Sequence, residues 1–182
     1  MTDTWVRDVL AFWFEEATPE QWFTKDQAFD ARIKTRFLSL YEQLEAAPVE
    51  SLAVDAETAL AAIVVFDQMP RNMFRGTARA FATDSRALWL AETAVARGFD
   101  TGFSKHQRLF LYLPFEHAED REAQARCVAL MGSLDDADLL KWAEAHRVII
   151  DRFGRFPHRN QALGRTSTEE EIAFLKEPGS SF

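Results

Sequence analysis

Two segments of the chain concentrate arginine, a residue type that binds anions. Residues 71–86 hold four Arg and one acid, and residues 152–165 hold four Arg and no acid. A guanidinium is a flat, forked donor that suits a carboxylate or a phosphate. We therefore expect a small anion to bind there, held by Arg and oriented by Asn. The candidate ligand-binding residues are Arg71, Asn72, Arg75, Arg155, Arg159 and Asn160.

Two histidines are candidates for moving a proton if the bound anion reacts. His117 lies three residues before Asp120 and four before Arg121, so on a helix either neighbour could orient its ring. His158 lies inside the second Arg-rich segment. A capping role for the acids around His117 is the alternative. His146 is expected to be a hydrogen-bonded interior residue.

No metal and no other cofactor is expected. Cys127 is the only cysteine, which excludes a disulfide and a cysteine-based zinc site and indicates a reducing compartment. A carboxylate-bridged metal site in a helix bundle needs Glu-x-x-His on two helices, and that spacing is absent.

The same arginines have a structural alternative, in which they pair with acids of the fold. Asp67 could pair with Arg71 or Arg75, while Asn72 ties down a helix end. The arginines of 152–165 could pair with the acids near 116–120. Arginines without a local acid need partners either in the fold or in a ligand, so both interpretations stay open.

Helical periodicity dominates the sequence that must position these residues. In 26–45 the apolar residues recur at spacings of three and four, which places them on one stripe of a helix. Pro70 and Pro114 are expected to stop the third and fifth helices, and Ser167 with Glu170 to cap the last. The predicted helices cover about 4–14, 26–45, 55–69, 83–98, 104–113, 116–134, 136–153 and 168–176.

Short connections make sequential helices antiparallel neighbours, so we expect one all-α domain over residues 1–182, a stack of about eight helices in antiparallel hairpins. In a regular stack, alternate connections lie at the same end. The tail from about residue 178 should be loose unless Phe182 docks. The connections expected at one end are 13–22, 67–84, 113–120 and 152–160, and they hold all of the candidate residues.

Length and charge narrow the class of protein. The chain has 182 residues and a mass of 20.8 kDa, which fits one domain. A net charge of −8 argues against a nucleic-acid binder. The uncharged stretch 58–66 is only nine residues long, and a membrane span needs about 20. The N-terminus also lacks the basic start of a signal peptide. We therefore expect a cytoplasmic protein that binds neither nucleic acid nor membrane.

Several motifs, in one order along the chain, resemble the bacterial domain-of-unknown-function family 924. The matching pieces are Phe12-Trp13-Phe14, Asp67-Gln68-Met69-Pro70-Arg71-Asn72, Arg75-Gly76-Thr77, Ala80-Phe81-Ala82-Thr83-Asp84, Tyr112-Leu113-Pro114-Phe115 with His117 and Glu119-Asp120, Arg152-Phe153-Gly154-Arg155-Phe156-Pro157-His158-Arg159-Asn160, and Leu163-Gly164-Arg165. The resemblance spans nearly the whole chain. It implies a tetratricopeptide-like stack of helices, and it implies no activity and no catalytic residues.

Two hypotheses about function follow. The first is an enzyme or sensor that binds a small anionic metabolite through the candidate residues. The second is a protein-interaction module in which a tetratricopeptide-like surface binds an acidic peptide. A closed pocket with aromatic walls would favour the first hypothesis, and an open groove would favour the second.

Overall fold

The computed structural model describes residues 4–181, and 74% of the protein is helical. The described residues contain no β-strand, which confirms the all-α prediction. The tetratricopeptide-like arrangement stays a prediction. The chain divides into two compact units. Unit 1 is the chain up to Arg75 together with Arg79–Pro114, and unit 2 is Gly76–Ala78 together with the chain from Phe115 onwards. The single-domain organisation also stays a prediction.

Unit 1 is built from helices of 5 to 20 residues. Two of its α-helices continue directly into π-helical segments, which are Phe12–Glu16 and Val64–Gln68. Such segments widen the helix by one residue per turn and are frequent at functional sites. The helices in chain order are α1 Thr4–Ala11, α2 Pro19–Phe23, α3 Gln27–Ala46, α4 Ala56–Ile63, α5 Met69–Met73, α6 Asp84–Ala96 and α7 Lys105–His117, the last of which ends in unit 2.

The core of unit 1 follows from two hydrophobic patterns. On α3 the predicted stripe is buried and packs against α5. On α4 and the π-helical segment after it, Ala59–Phe66 is apolar all round and fully buried, as expected for a central helix. Asp26 begins α3 as predicted, because its carboxylate accepts hydrogen bonds from the backbone N–H groups of Ala28 and Phe29.

Neither proline stops its helix, which corrects two predictions. Pro70 occupies the first turn of α5, where a missing N–H costs nothing. Pro114 lies inside α7, which continues to His117. As a result His117 lies in the last turn of α7 and does not open the next helix, where we had placed it. Asp120 is the residue that begins that next helix, accepting a hydrogen bond from Ala123 N at 2.8 Å.

Unit 2 consists of α8 Arg121–Gly132, α9 Ala137–Phe153, a 3-10 turn Pro157–Arg159 and α10 Glu169–Phe174. The short link between α8 and α9 makes them an antiparallel packed pair. Gly154 ends α9 in the left-handed region, at φ 69°, as its position in the sequence predicts. No helix within residues 4–181 is both long enough and apolar enough to cross a bilayer.

The last helix begins one residue later than expected. Thr168 and Glu171 form the capping box that we had assigned to Ser167 and Glu170. The tail is less loose than predicted up to Ser180, which is buried and whose hydroxyl donates to the carbonyl of Leu175 at 3.2 Å. Phe182, whose docking was the stated exception to a loose tail, lies outside the described residues.

Candidate functional site

Arg71 of unit 1 makes a forked ion pair. Its Nη1 and Nη2 lie 2.8 and 2.9 Å from the two carboxylate oxygens of Asp84, at the start of α6. Nη1 is also 3.4 Å from Oδ1 of Asp67, a carboxylate with no exposed surface. Burial opposes the charge of Arg71, but the two acids outweigh it and raise its pKa. The predicted pairing of Asp67 with Arg71 is confirmed.

Asp30 of α3 binds the other two candidates of unit 1. Its Oδ2 accepts from Arg75 Nε at 2.6 Å, and its Oδ1 accepts from Arg75 Nη2 at 2.9 Å and from Asn72 Nδ2 at 2.7 Å. Asn72 therefore contacts a side chain, and not the helix end that we expected it to tie down. All three candidates of unit 1 have carboxylate partners in their own unit, as the structural alternative predicts.

The π-helical segment Val64–Gln68 explains how a carboxylate comes to be buried beside Arg71. Asp67 and Gln68 are both buried at its end, and Gln68 Nε2 donates to Asp67 Oδ2. The hydroxyl of Thr83 donates to the carbonyl of Phe66 at 2.7 Å. The widened turn thus exposes a carbonyl that a side chain satisfies. Apolar periodicity alone gave no signal for this geometry.

Three residues of unit 2 form what we call the Glu171 lock: Arg155, Asn160 and Glu171. Arg155 Nε and Nη2 lie 2.6 and 2.8 Å from the two oxygens of Glu171, and Asn160 Nδ2 lies 3.3 Å from Oε2. Hydrogen bonding to Arg155 is the main reason why the pKa of Glu171 falls to about 2. The lock holds α10 against the segment that follows α9.

A second ion pair, between Arg165 and Glu119, braces the same segment. Arg165 Nη2 donates to Glu119 Oε1 at 2.8 Å, and its Nε donates to Asn160 Oδ1 at 2.9 Å. Glu119 also accepts from the backbone N–H of Phe156 at 2.8 Å. Burial opposes ionisation of Glu119, but these hydrogen bonds lower its pKa. The predicted pairing with the acids of 116–120 is confirmed for Arg165 and is wrong for Arg152 and Arg155, which pair with Glu170 and Glu171.

The remaining candidates of unit 2 surround His146 of α9, a residue only 5% exposed. Its Nδ1 lies 2.8 Å from the carbonyl oxygen of Trp142 and 3.4 Å from Oε1 of Glu116. A carbonyl oxygen only accepts, so Nδ1 carries the ring hydrogen and Nε2 is the acceptor atom. His146 is thus the hydrogen-bonded interior residue that the sequence predicted.

A guanidinium and two further imidazoles lie near His146 on two other elements. Its pKa falls to about 3, first because it is buried and then because His117, Arg159 and His158 lie nearby. The rings of His117 and His146 are 6.3 Å apart between centroids. We call these four residues, together with the buried Glu116, the histidine cluster. In it the imidazole of His146 is held in its neutral form.

Phe156 organises one side of the histidine cluster. The guanidinium of Arg159 lies 4.5 Å from the centroid of the Phe156 ring, and Arg159 is only 6% exposed. The same ring meets His146 edge-on at 5.7 Å and lies 5.7 Å from His158. An aromatic face stabilises a desolvated cation, so Phe156 fixes the position of a buried positive charge.

Gln124 of α8 holds the end of α7, where Glu116 and His117 lie. Its Nε2 donates to the carbonyls of Phe115, Glu116 and Ala118, at 3.3, 2.6 and 2.9 Å. These are carbonyls that a helix C-terminus leaves without intrahelical partners. Sequence reasoning missed Gln124, because its position on the buried face of α8 is only visible once α7 is known to run through Pro114.

Cys127 contributes no reactive thiol. Its Sγ lies 3.9 Å from Glu116 Oε2, and burial raises its pKa well above the usual value. A thiol that stays protonated is a poor nucleophile and a poor metal ligand. Within residues 4–181, no group of three or more His, Cys, Asp or Glu side chains is arranged to hold a metal ion.

The predicted site residues therefore fall into separate groups. Those of unit 1 form two ion-pair groups, and those of unit 2 divide between the Glu171 lock and the histidine cluster. Their convergence at one end of the molecule stays a prediction. Sequence reasoning missed Glu116 and gave His146 no functional role. The signal for His146 was a histidine on the buried face of α9, among Ala143, Ile149 and Ile150.

Comparisons with known proteins agree with this fold. The chain resembles the solved structure of the protein of unknown function ATU0120 from Agrobacterium tumefaciens, with a TM-score of 0.88 and 43% sequence identity. The match covers 94% of this chain and 96% of the other. No protein with curated function matches significantly. Residues 9–179 match the family model described as "Bacterial protein of unknown function (DUF924)". The chain belongs to this bacterial family.

Proposed function

We propose that the protein binds a small anion, a carboxylate or a phosphate, at the histidine cluster of unit 2. The observation that carries the proposal is the burial of the Arg159 guanidinium beside His117 and His158, with a neutral imidazole at the centre. A buried guanidinium attracts an anion, and the two imidazoles beside it can add hydrogen bonds to a bound ligand.

The charge of the whole chain strengthens this argument. The protein carries a net charge of −8, so most of its surface repels anions. Arg159 brings positive charge into the cluster, because it is close enough to lower the pKa of both Glu119 and His146, and it acts there against the buried carboxylate of Glu116. An anion bound there would meet a guanidinium, which gives a forked and directional contact.

The other candidates of unit 2 have a positioning role in this proposal. Arg155 and Asn160 are engaged in the Glu171 lock, and Arg165 is engaged with Glu119. These bonds fix the backbone on both sides of Arg159 and so fix the place where its side chain lies. A rigid support of this kind is what a binding site requires.

The cluster also offers a neutral acceptor. Because Nδ1 of His146 donates to the carbonyl of Trp142, Nε2 is the acceptor atom of the ring. A guanidinium and a neutral imidazole together suit an anion that also carries a hydroxyl group, such as a hydroxy acid or a monoprotonated phosphate. His117 and His158 are the groups that would move a proton if the ligand reacts.

The test is isothermal titration calorimetry with inorganic phosphate, citrate and malate. The variant is Arg159→Lys, which keeps the charge and loses the forked geometry, and the matched control is Arg152→Lys at the exposed end of α9. We expect one of these ligands to bind, with at least about tenfold weaker affinity in Arg159→Lys and unchanged affinity in Arg152→Lys. Equal affinity in all three proteins would overturn the proposal.

An acidic peptide as ligand remains the alternative prediction. A short oligoglutamate peptide in the same titration distinguishes the two. Binding of the peptide without binding of any small anion would favour an interaction module, and would contradict the proposal above.

A further inference from the structure

The outward face of α3 in unit 1 carries a shallow, open groove of about 550 Å³. Its floor is made mainly of small side chains, and the guanidiniums of Arg32 and Arg36 lie over the Phe12 ring, 5.3 and 5.2 Å from the ring centroid. The lining residues are Phe12, Ala28, Ala31, Arg32, Thr35 and Arg36. A second hollow continues along the same helix face and is bounded by Lys34 and Leu38.

The acidic and the basic residues around this groove differ in their contacts. The two acids in the first part of α3 are engaged elsewhere, because Asp26 caps the helix and Asp30 binds Asn72 and Arg75. The exposed charged residues in the same turns are Arg32, Lys34 and Arg36, all positive. In a chain with a net charge of −8, a positive helix face is not explained by solubility.

Glu16 balances this positive charge only in part. Its carboxylate lies 2.8 Å from Arg36 and 3.5 Å from Arg32, so one acid serves two guanidiniums. Lys34 forms no ion pair within the described residues. The face therefore keeps a net positive charge of two, beside a floor that is mostly apolar.

Unit 2 presents a surface of complementary character on α10. Ile172 and Leu175 are 47% and 36% exposed, and their spacing of three places them on the same side of the helix. Glu169 extends this row by a further three residues towards the N-terminus and forms no ion pair in the described chain. The apolar pair Ile172 and Leu175 beside the acidic Glu169 therefore complements the apolar floor of the α3 groove beside its positively charged residues.

We infer that α10 of one copy of the protein docks into the α3 groove of a second copy, with Ile172 and Leu175 on the groove floor and Glu169 at its positive rim. Two α3 faces would repel each other, whereas an α3 face and an α10 face attract. Because α10 is short, the buried surface is small and the association is weak, with a Kd on the order of 10–100 µM.

Sedimentation velocity of the full chain over a range of concentrations at low salt measures this association. Lys34→Glu and Glu169→Lys each replace an attraction by a repulsion, so each should weaken association by about three- to tenfold. The chain that carries both changes restores the attraction with exchanged signs, and its association should return towards that of the original. Arg126→Glu, an exposed change of the same charge on α8, should leave the association unaltered.

A measurement of folding is needed to distinguish weaker association from unfolding of a variant. Each variant is checked for an unchanged melting temperature, so a loss of association is not a loss of structure. A chain that stays monomeric at every concentration would overturn the inference, and so would a double variant that associates no better than the worse of its two single changes. Added salt should weaken the association of the original chain, because the attraction between exposed charges is screened.

Discussion

Arg155 and Glu171 are joined by a forked ion pair that fastens the last helix, α10, to the segment following α9. Nε and Nη2 of Arg155 approach the carboxylate at 2.6 and 2.8 Å, and the side chain of Glu171 is only 3% exposed. The same carboxylate accepts the backbone N–H of Thr168 at 2.7 Å, so it also caps the helix that carries it. One side chain thus combines a tertiary contact with a local one.

Glu171→Gln should therefore destabilise the protein. The amide keeps one acceptor oxygen but loses the charge that holds Arg155, so we expect a loss of about 2 kcal/mol in the free energy of unfolding. The measurement is urea denaturation followed by circular dichroism. Glu170→Gln is the matched control, since Glu170 pairs with Arg152 at an exposed position and should change the stability by less than about 1 kcal/mol. Equal effects of the two changes would show that the Glu171 lock stabilises the protein no more than an exposed ion pair does.

The carboxylate of Glu171 should also make the stability of the protein depend on pH in the acidic range. The pKa of Glu171 is lowered from 4.5 to about 2 in the folded protein, chiefly by its hydrogen bond to Arg155. A group with a depressed pKa contributes stability that is present above its unfolded pKa and is lost as the pH falls towards the folded value. Between pH 4.5 and pH 2, Glu171→Gln should lose less stability than the original protein. Parallel pH profiles for the two would contradict this assignment.

Arg71→Ala tests the ion pair with Asp84 in unit 1. Removing the guanidinium leaves Asp67 buried without its positive partner, at a cost of about 3–5 kcal/mol. Thermal or chemical unfolding measures the loss. Arg147→Ala is the control, because Arg147 pairs with Asp151 at the surface and should cost no more than about 1 kcal/mol. If the Arg71→Ala variant keeps the full stability of the original protein, the ion pairs of Arg71 do not stabilise the fold.

His146 should stay neutral throughout the physiological range of pH. Burial, aided by the proximity of His117, Arg159 and His158, lowers its pKa to about 3, whereas in the unfolded chain it titrates near 6.5. The unfolded state then binds one more proton below pH 6.5, so stability is lost as the pH falls, by about 2 kcal/mol between pH 6.5 and pH 5. Long-range ¹H–¹⁵N spectra of the ring check the charge state directly. A protonated ring at pH 6, or a hydrogen on Nε2 in place of Nδ1, would contradict the structure.

Much of the fold follows from the sequence, because the signals involved are local. The apolar stripe of α3, the start of that helix near Asp26 and the end of α9 at Phe153 each depend on a few neighbouring residues, and the structure confirms them. The sequence did not predict that the helices continue through Pro70 and Pro114. A proline is tolerated where the surrounding packing accepts it, and that packing is set by residues distant in sequence.

The contacts of the candidate site were also hard to predict from the sequence, because they too depend on residues that are distant along the chain. The partners of Arg71 and Arg155 lie 13 and 16 residues away, and both side chains could equally have faced a ligand. The error at Pro114 assigned Glu116 and His117 to the wrong helix, and so hid their proximity to His146. Residue type identified the Arg-rich segments, and only the tertiary contacts showed which acids Arg71, Arg155 and Arg165 bind.

The most direct test of anion binding at the histidine cluster is a titration of isotope-labelled protein with inorganic phosphate, observed through the ring resonances of its four histidines. We predict saturable shifts for His117, His146 and His158, no shift for His106, which lies on the exposed start of α7, and loss of the shifts in Arg159→Lys. Equal and unsaturable shifts at all four rings, or none at the cluster up to high phosphate and equally none with citrate or malate, would contradict the account.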